Sequence, residues 1–210
     1  MVVYLIGGPP KCGKTTLAKT LSKKLLIPWI SSDTLENIAW AYIPKEQHST
    51  LFSHRYLRGE SNDEFYAQHT SEAIVQGYVE QSKATYDAIS MMAEIYLTDG
   101  DDFIVEGYQV TPEIVSQILK KFGNEHIKTA FLLKRDEEKM LQDFHKSTTP
   151  NDWILRKTKD EATFANIARM ITVYSDYIEQ EAKKYGLPLF EMDADFNVSL
   201  EKVIKHLTNV

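Results

Sequence analysis

Residues 8–15 read Gly-Pro-Pro-Lys-Cys-Gly-Lys-Thr, a full match to Gly-x-x-x-x-Gly-Lys-[Ser/Thr], between an apolar run at 2–6 and a lysine-rich amphipathic segment at 15–25. Strand, glycine-punctuated loop, then helix is the context this pattern requires, and no other feature constrains the fold as much. The glycines let successive backbone N–H groups face one point, which makes an anion nest at the positive end of the following helix. Gly8, Pro9, Pro10, Lys11, Cys12, Gly13, Lys14, Thr15 and Thr16 are therefore expected to wrap the phosphates of a nucleotide. Lys14 would reach the β- and γ-phosphates and the Thr15 hydroxyl would ligate Mg²⁺. Pro9 and Pro10 stiffen the loop where no donor is needed. Cys12, the single cysteine, has two readings: a thiol made reactive by the helix N-terminus, or a small side chain that fits a crowded loop.

Further apolar runs of strand length occur at 28–31, 103–105, 127–133 and 188–191, several of them continuous in Val, Ile, Leu and Phe. Such runs suit strands buried on both faces. Helical spacing of apolar residues predicts helices over 15–25, 71–97, 112–121, 136–145, 159–185 and 199–207. Strands alternating with helices predict an α/β fold of three layers, α/β/α, around a mostly parallel sheet, with ligands at the carboxyl ends of the strands. Two stretches break the alternation. Residues 33–70 are rich in aromatics, histidine and arginine without a strand-like run, and residues 145–159 are polar with the turn-forming Thr149-Pro150-Asn151-Asp152. Both are expected to be functional. With 210 residues the chain is expected to form a single domain, residues 1–210.

Thirty acidic against 24 basic residues leave a net charge of −6 with no block of like charge. General nucleic-acid binding, which rests on a basic footprint, is not expected. No apolar run approaches the roughly 18 residues that would span a bilayer, and residues 1–6 lack the charge and length of a signal peptide. The expectation is a soluble, reduced, cytoplasmic protein without membrane or nucleic-acid partners; composition does not address oligomeric state.

Two acidic residues stand where strands should end: Asp33 in "PWISSDTLENI" and Glu106 in "DDFIVEGYQVTPEIV". In a parallel sheet both converge on the edge that carries the glycine loop. Transfer of a phosphoryl group to a hydroxyl needs one carboxylate to orient the nucleophile and accept its proton, and charge near the metal. Asp33 suits the first task; Glu106 suits the metal or a contact to the acceptor. The plainer reading of Asp33 is a helix cap, shared with Ser31 and Ser32. The motifs Asp-x-x-Gly and Asn/Thr-Lys-x-Asp are absent, which argues against a guanine-nucleotide switch.

"GGPPKCGKTT", "ISSDTL" and "IVEGYQVTPE" together resemble the small-molecule kinase branch of P-loop NTPases, with the nucleoside-monophosphate-kinase-like fold of shikimate, gluconate and adenylylsulfate kinases, zeta toxins and chloramphenicol phosphotransferase. The Glu-Gly pair is most similar to 2-phosphoglycerate kinase-type proteins. The resemblance implies ATP and Mg²⁺ as cofactors, a helical acceptor-binding insertion at 33–70 and a short lid at 145–159. It implies Arg156 as the catalytic lid arginine, with Lys157 beside it and Arg169 or Arg135 as alternatives. It also implies an adenine contact at 193–197.

Trp40, Tyr42, His48, His54, Arg55, Tyr56 and Arg58 give the 33–70 insertion aromatic faces and cationic donors. Arg55 and Arg58 would bind a phosphorylated or carboxylated small-molecule acceptor, or else lie on a solvated helix face. His48 and His54 are read as surface residues. The expected function is ATP- and Mg²⁺-dependent phosphorylation of a small metabolite hydroxyl. The alternatives are a nucleoside or nucleoside-monophosphate kinase, and a nucleotide-binding regulatory or toxin-like protein.

Overall fold

The computed structural model describes residues 1–148 and 152–208. Five strands, β1 (Val3–Gly7), β2 (Trp29–Ser31), β3 (Phe103–Glu106), β4 (Ile127–Leu133) and β5 (Leu189–Glu191), form one parallel sheet in the order β2-β3-β1-β4-β5. Every crossover is helical. The chain begins in the middle of the sheet and reverses direction beside β1, so the loop after β1 opens at the topological switch point.

The alternation of side chains along each strand builds two cores. Tyr4, Ile6, Ile104, Ala130 and Leu132 point to one face and pack against α1 (Lys14–Leu25) and the C-terminal helix described below. Val3, Leu5, Phe103, Val105, Phe131 and Leu133 point to the other. Each fully buried aliphatic side chain contributes about 1.5–3 kcal/mol, which is why the central strands carry no alternating polar residues. In α1 the apolar positions Leu17, Ala18 and Leu21 form the buried stripe, and Lys19, Lys23 and Lys24 face water.

The insertion after β2 is helical throughout: α2 (Ser32–Tyr42), a 3₁₀ turn (Lys45–Gln47), α3 (His48–Leu51), α4 (Ser53–Arg58) and α5 (Asn62–Gln68). The single helix expected over 71–97 is instead two, α6 (Ser71–Ser82) and α7 (Tyr86–Asp99), joined by a 3₁₀ turn at Lys83–Thr85. Ser82 Oγ donates to the Val79 carbonyl and Thr85 Oγ1 to the Ser82 carbonyl. Hydroxyls that bond back to the preceding turn compete with the α-helical ladder and bend it.

Then follow α8 (Pro112–Phe122), α9 (Glu137–His145), α10 (Trp153–Lys157), α11 (Glu161–Tyr185) and α12 (Phe196–Thr208). α8 starts as its sequence dictates, with Thr111 as the cap and Pro112 in the first turn. α12 closes the α1 face, while α6, α7, α8, α9 and α11 cover the other. Among the described residues no helix is long and apolar enough to cross a membrane.

Candidate active site

The loop from Gly7 to Lys14 is shaped by three residues with left-handed backbone: Gly8 (φ 146°), Lys11 (φ 63°) and Gly13 (φ 99°). At Gly8 a Cβ would lie 2.6 Å from the Leu132 carbonyl oxygen, so only glycine lets the loop pass β4 so closely. Lys14 opens α1, is buried, and folds back so that Nζ donates to the Pro9 carbonyl at 2.6 Å. Cys12 lies beneath the loop, 1% exposed, and burial pushes its thiol pKa up. That fits the packing reading and argues against a thiolate.

Parallel register brings the carboxylates to this loop. Glu106, the last residue of β3, pairs with Ile6 of β1 on one side and Ser31 of β2 on the other. Its carboxylate accepts from Thr15 Oγ1 at 3.0 Å. Burial raises its pKa, opposed by the nearby Lys14 charge and the Thr15 hydrogen bond. Asp33 lies in the first turn of α2, whose cap is Ser31: Ser31 Oγ accepts from the Asp33 amide at 3.2 Å. The capping alternative for Asp33 is thereby removed, and its carboxylate faces the cavity. Although open to cavity water, Asp33 is so closely ringed by protein that its pKa is also raised by burial, against the lowering effects of Lys14 and of a hydrogen bond from Gln109.

Lys11, Lys14, Thr15, Asp33, Arg55, Arg58 and Glu106 all line one cavity of about 940 Å³. Its far wall is the insertion and its roof is α10. Arg55 stacks on Trp40 at 4.3 Å, donates to Asn37 Oδ1 at 2.7 Å and lies 3.6 Å from Glu36. Arg58 stacks on Trp153 at 3.9 Å and donates through Nη2 to Asn62 at 3.3 Å. Its Nε, and Nε2 of His54 one turn earlier, are buried with no hydrogen-bond partner among the described residues. Buried polar atoms are rarely left so. Neither arginine lies on a merely solvated face.

Several expectations are corrected. His48 and His54 are buried, not on the surface: His48 stacks on Trp40 and His54 on Tyr78, at 3.9 and 3.8 Å. Arg156 is exposed on α10 and is not among the residues lining the cavity; its neighbour Lys157 is, bonded to the Gly59 carbonyl at 3.0 Å. Arg135 is held in an ionic cluster with Asp176, Glu179 and Glu191, and Arg169 is exposed beside Glu137. In the segment 193–197, Asp193 accepts from the Arg135 and Asp136 amides and Asp195 caps α12. Of the turn expected within 145–159, Thr149-Pro150-Asn151 lies outside the described residues. Asp152 caps α10 and pairs with Lys11 at 2.5 Å.

Sequence reasoning missed Glu36, Gln81, Tyr108, Gln109 and Asp152. The signal for Glu36 was available: it follows Asp33 by three residues in a helix, and such residues share a face.

No protein-family model matches the chain. The mevalonate-3-phosphate 5-kinase of Thermoplasma acidophilum is 22% identical over 207 residues, covering 96% of this chain and 93% of the relative. An uncharacterized protein of Dictyostelium discoideum is 26% identical over 118 residues, which span 56% of this chain and 14% of that protein. A gluconokinase from Sinorhizobium meliloti superposes with a TM-score of 0.53, covering 99% of this chain and 92% of its own at 10% identity. The fold is that of the P-loop kinases. At such identity the likeness speaks for the fold, and the chemistry must be argued from the P-loop cavity itself.

Proposed function

We propose that this P-loop protein is a kinase that transfers the γ-phosphoryl group of ATP to a hydroxyl of a small anionic metabolite. The observation that carries this reading is that one cavity holds the phosphate nest, the Thr15–Glu106 pair and the Asp33 carboxylate, and continues into a wall of arginines. The loop amides and Lys14 bind the β- and γ-phosphates. Thr15 and Glu106 offer two oxygen ligands at the mouth of the nest, which suits a Mg²⁺ that draws its other ligands from phosphate and water. When bound, that ion neutralises charge on the phosphoryl oxygens.

Asp33 orients the acceptor hydroxyl. As the acceptor oxygen bonds to the γ-phosphorus, the bond from phosphorus to the bridging oxygen breaks, its electrons stay with ADP, and the hydroxyl proton passes to Asp33. A pKa raised by burial makes Asp33 a better proton acceptor at neutral pH than an ordinary aspartate. Lys11 and Lys157 line the same cavity and supply positive charge for the transferring group.

The acceptor carries a phosphate or carboxylate group. Arg58 lines the cavity with a guanidinium pre-oriented by stacking on Trp153, the geometry that binds such groups. The name of the Thermoplasma relative, an enzyme for a phosphorylated alcohol, points the same way. The test is incubation of the protein and Mg·ATP with a desalted metabolite extract, read by mass spectrometry, with Asp33→Asn as control. An anionic alcohol gaining a phosphoryl group with the wild type, and far more slowly with Asp33→Asn, is expected; no acceptor despite ATP binding would favour the regulatory alternative.

A further inference from the structure

Behind Asp33 lies a buried polar assembly that phosphate binding does not call for. Gln109, fully buried in the turn after β3, donates both amide hydrogens: one to Asp33 Oδ1 at 3.2 Å, the other to Glu36 Oε2 at 2.7 Å. Its carbonyl oxygen accepts from Ser32 Oγ. An amide has two donors and an acceptor, and all three functions are used, so the Ser32 contact dictates which end faces Asp33. Glu36 does not depend on Gln109 for partners: it also accepts from Tyr108 Oη at 2.5 Å and Gln81 Nε2 at 3.0 Å. The bond to Glu36 is therefore the redundant one, whereas the Asp33 carboxylate draws its hydrogen bond from Gln109. Gly107 is needed for this approach, since a Cβ there would collide with Ser32 Oγ.

We infer that Gln109 is a positioning residue for Asp33: it fixes the rotamer of the carboxylate that takes the acceptor proton, and Ser32 fixes Gln109. This rests on the kinase reading given above. The residue acts through Asp33 and touches no substrate. Because transfer demands close alignment, a carboxylate released from this hold is expected to cost roughly ten- to a hundredfold in kcat.

The decisive experiment is a double-mutant cycle on the acceptor named by the extract assay. Gln109→Met keeps length and removes all three hydrogen bonds; alone it should lower kcat about ten- to a hundredfold with ATP affinity unchanged. In an Asp33→Asn background the same substitution should lower kcat by less than about threefold, because residues acting as one unit are not additive. A structural role would give the same loss in both backgrounds and would overturn the inference. If Asp33→Asn alone leaves kcat intact, the proton-acceptor assignment falls and this inference with it, an outcome distinct from additivity. Should Gln109→Met fail to fold, Ser32→Ala leaves Gln109 in place and frees only its orientation. Its loss, about three- to tenfold, should likewise vanish in the Asp33→Asn background, and persistence there would overturn the inference.

Discussion

Asp33 and Glu106 are both carboxylates whose pKa is raised by burial, yet their partners assign them different work. Glu106 holds the Thr15 hydroxyl, whereas Asp33 is held by Gln109. Glu106→Gln should therefore raise the Mg²⁺ concentration needed for half-maximal activity, measured by titrating the metal at saturating ATP, while Asp33→Asn should leave that titration unchanged. Lys14→Ala should abolish nucleotide-dependent turnover, since among the described residues no other lysine is buried. Cys12, buried with its thiol pKa raised, should resist iodoacetamide in the native protein and react only after denaturation, as mass spectrometry of the labelled chain would reveal. The glycine loop and both carboxylates were legible in the sequence because each stands at a fixed offset from a strand end. Gln109 was not, since a lone glutamine three residues past Glu106 has no pattern of its own until the turn folds it against Ser32 and Asp33.

At the scale of elements, α10 is tied on one side to the loop through Lys11 and Asp152, and on the other to the insertion through Arg58 stacked on Trp153 and Asn62 bonded to Thr158. On the proposed kinase reading, a roof fastened in this way would keep water from the transferring group. Asp152→Asn keeps a capping oxygen but loses the ion pair, so the ratio of ATP hydrolysed to acceptor phosphorylated should rise, measurable as ADP formed per product. The choice of Arg156 over Lys157 could not be settled by spacing, because the phase of so short a helix is set by its cap, and that cap became visible only in the fold. The break between α6 and α7 escaped for a similar reason. The apolar period resumes in phase at Tyr86, seven residues after Val79, and only the hydroxyls of Ser82 and Thr85, bonding backwards, interrupt the ladder.

The whole molecule stores a pH dependence in the insertion. His54 is buried against Tyr78 and Phe65, and desolvation first, then the charge of Arg58, lowers its pKa to about 3. The folded value lies below the unfolded one, near 6.5, so the unfolded chain binds the extra proton between them. Stability is full above about pH 6.5 and is lost as pH falls toward 3. Between pH 7.5 and 4.5 wild type should lose roughly 2–3 kcal/mol more than His54→Gln in urea unfolding; equal losses would place His54 in water. The parallel five-stranded sheet was legible because strands buried on both faces leave continuous apolar runs, whereas the path of 33–70, several short helices around His48, Phe52 and His54, depends on aromatic packing that no period records. The central claim concerns where the γ-phosphoryl group goes. A single turnover with γ-labelled ATP, protein in excess and the anionic acceptor present, should put the label on the acceptor for wild type and, over the same interval, leave most of it on ATP for Asp33→Asn. Label released only as inorganic phosphate, equally with and without acceptor, would contradict the account.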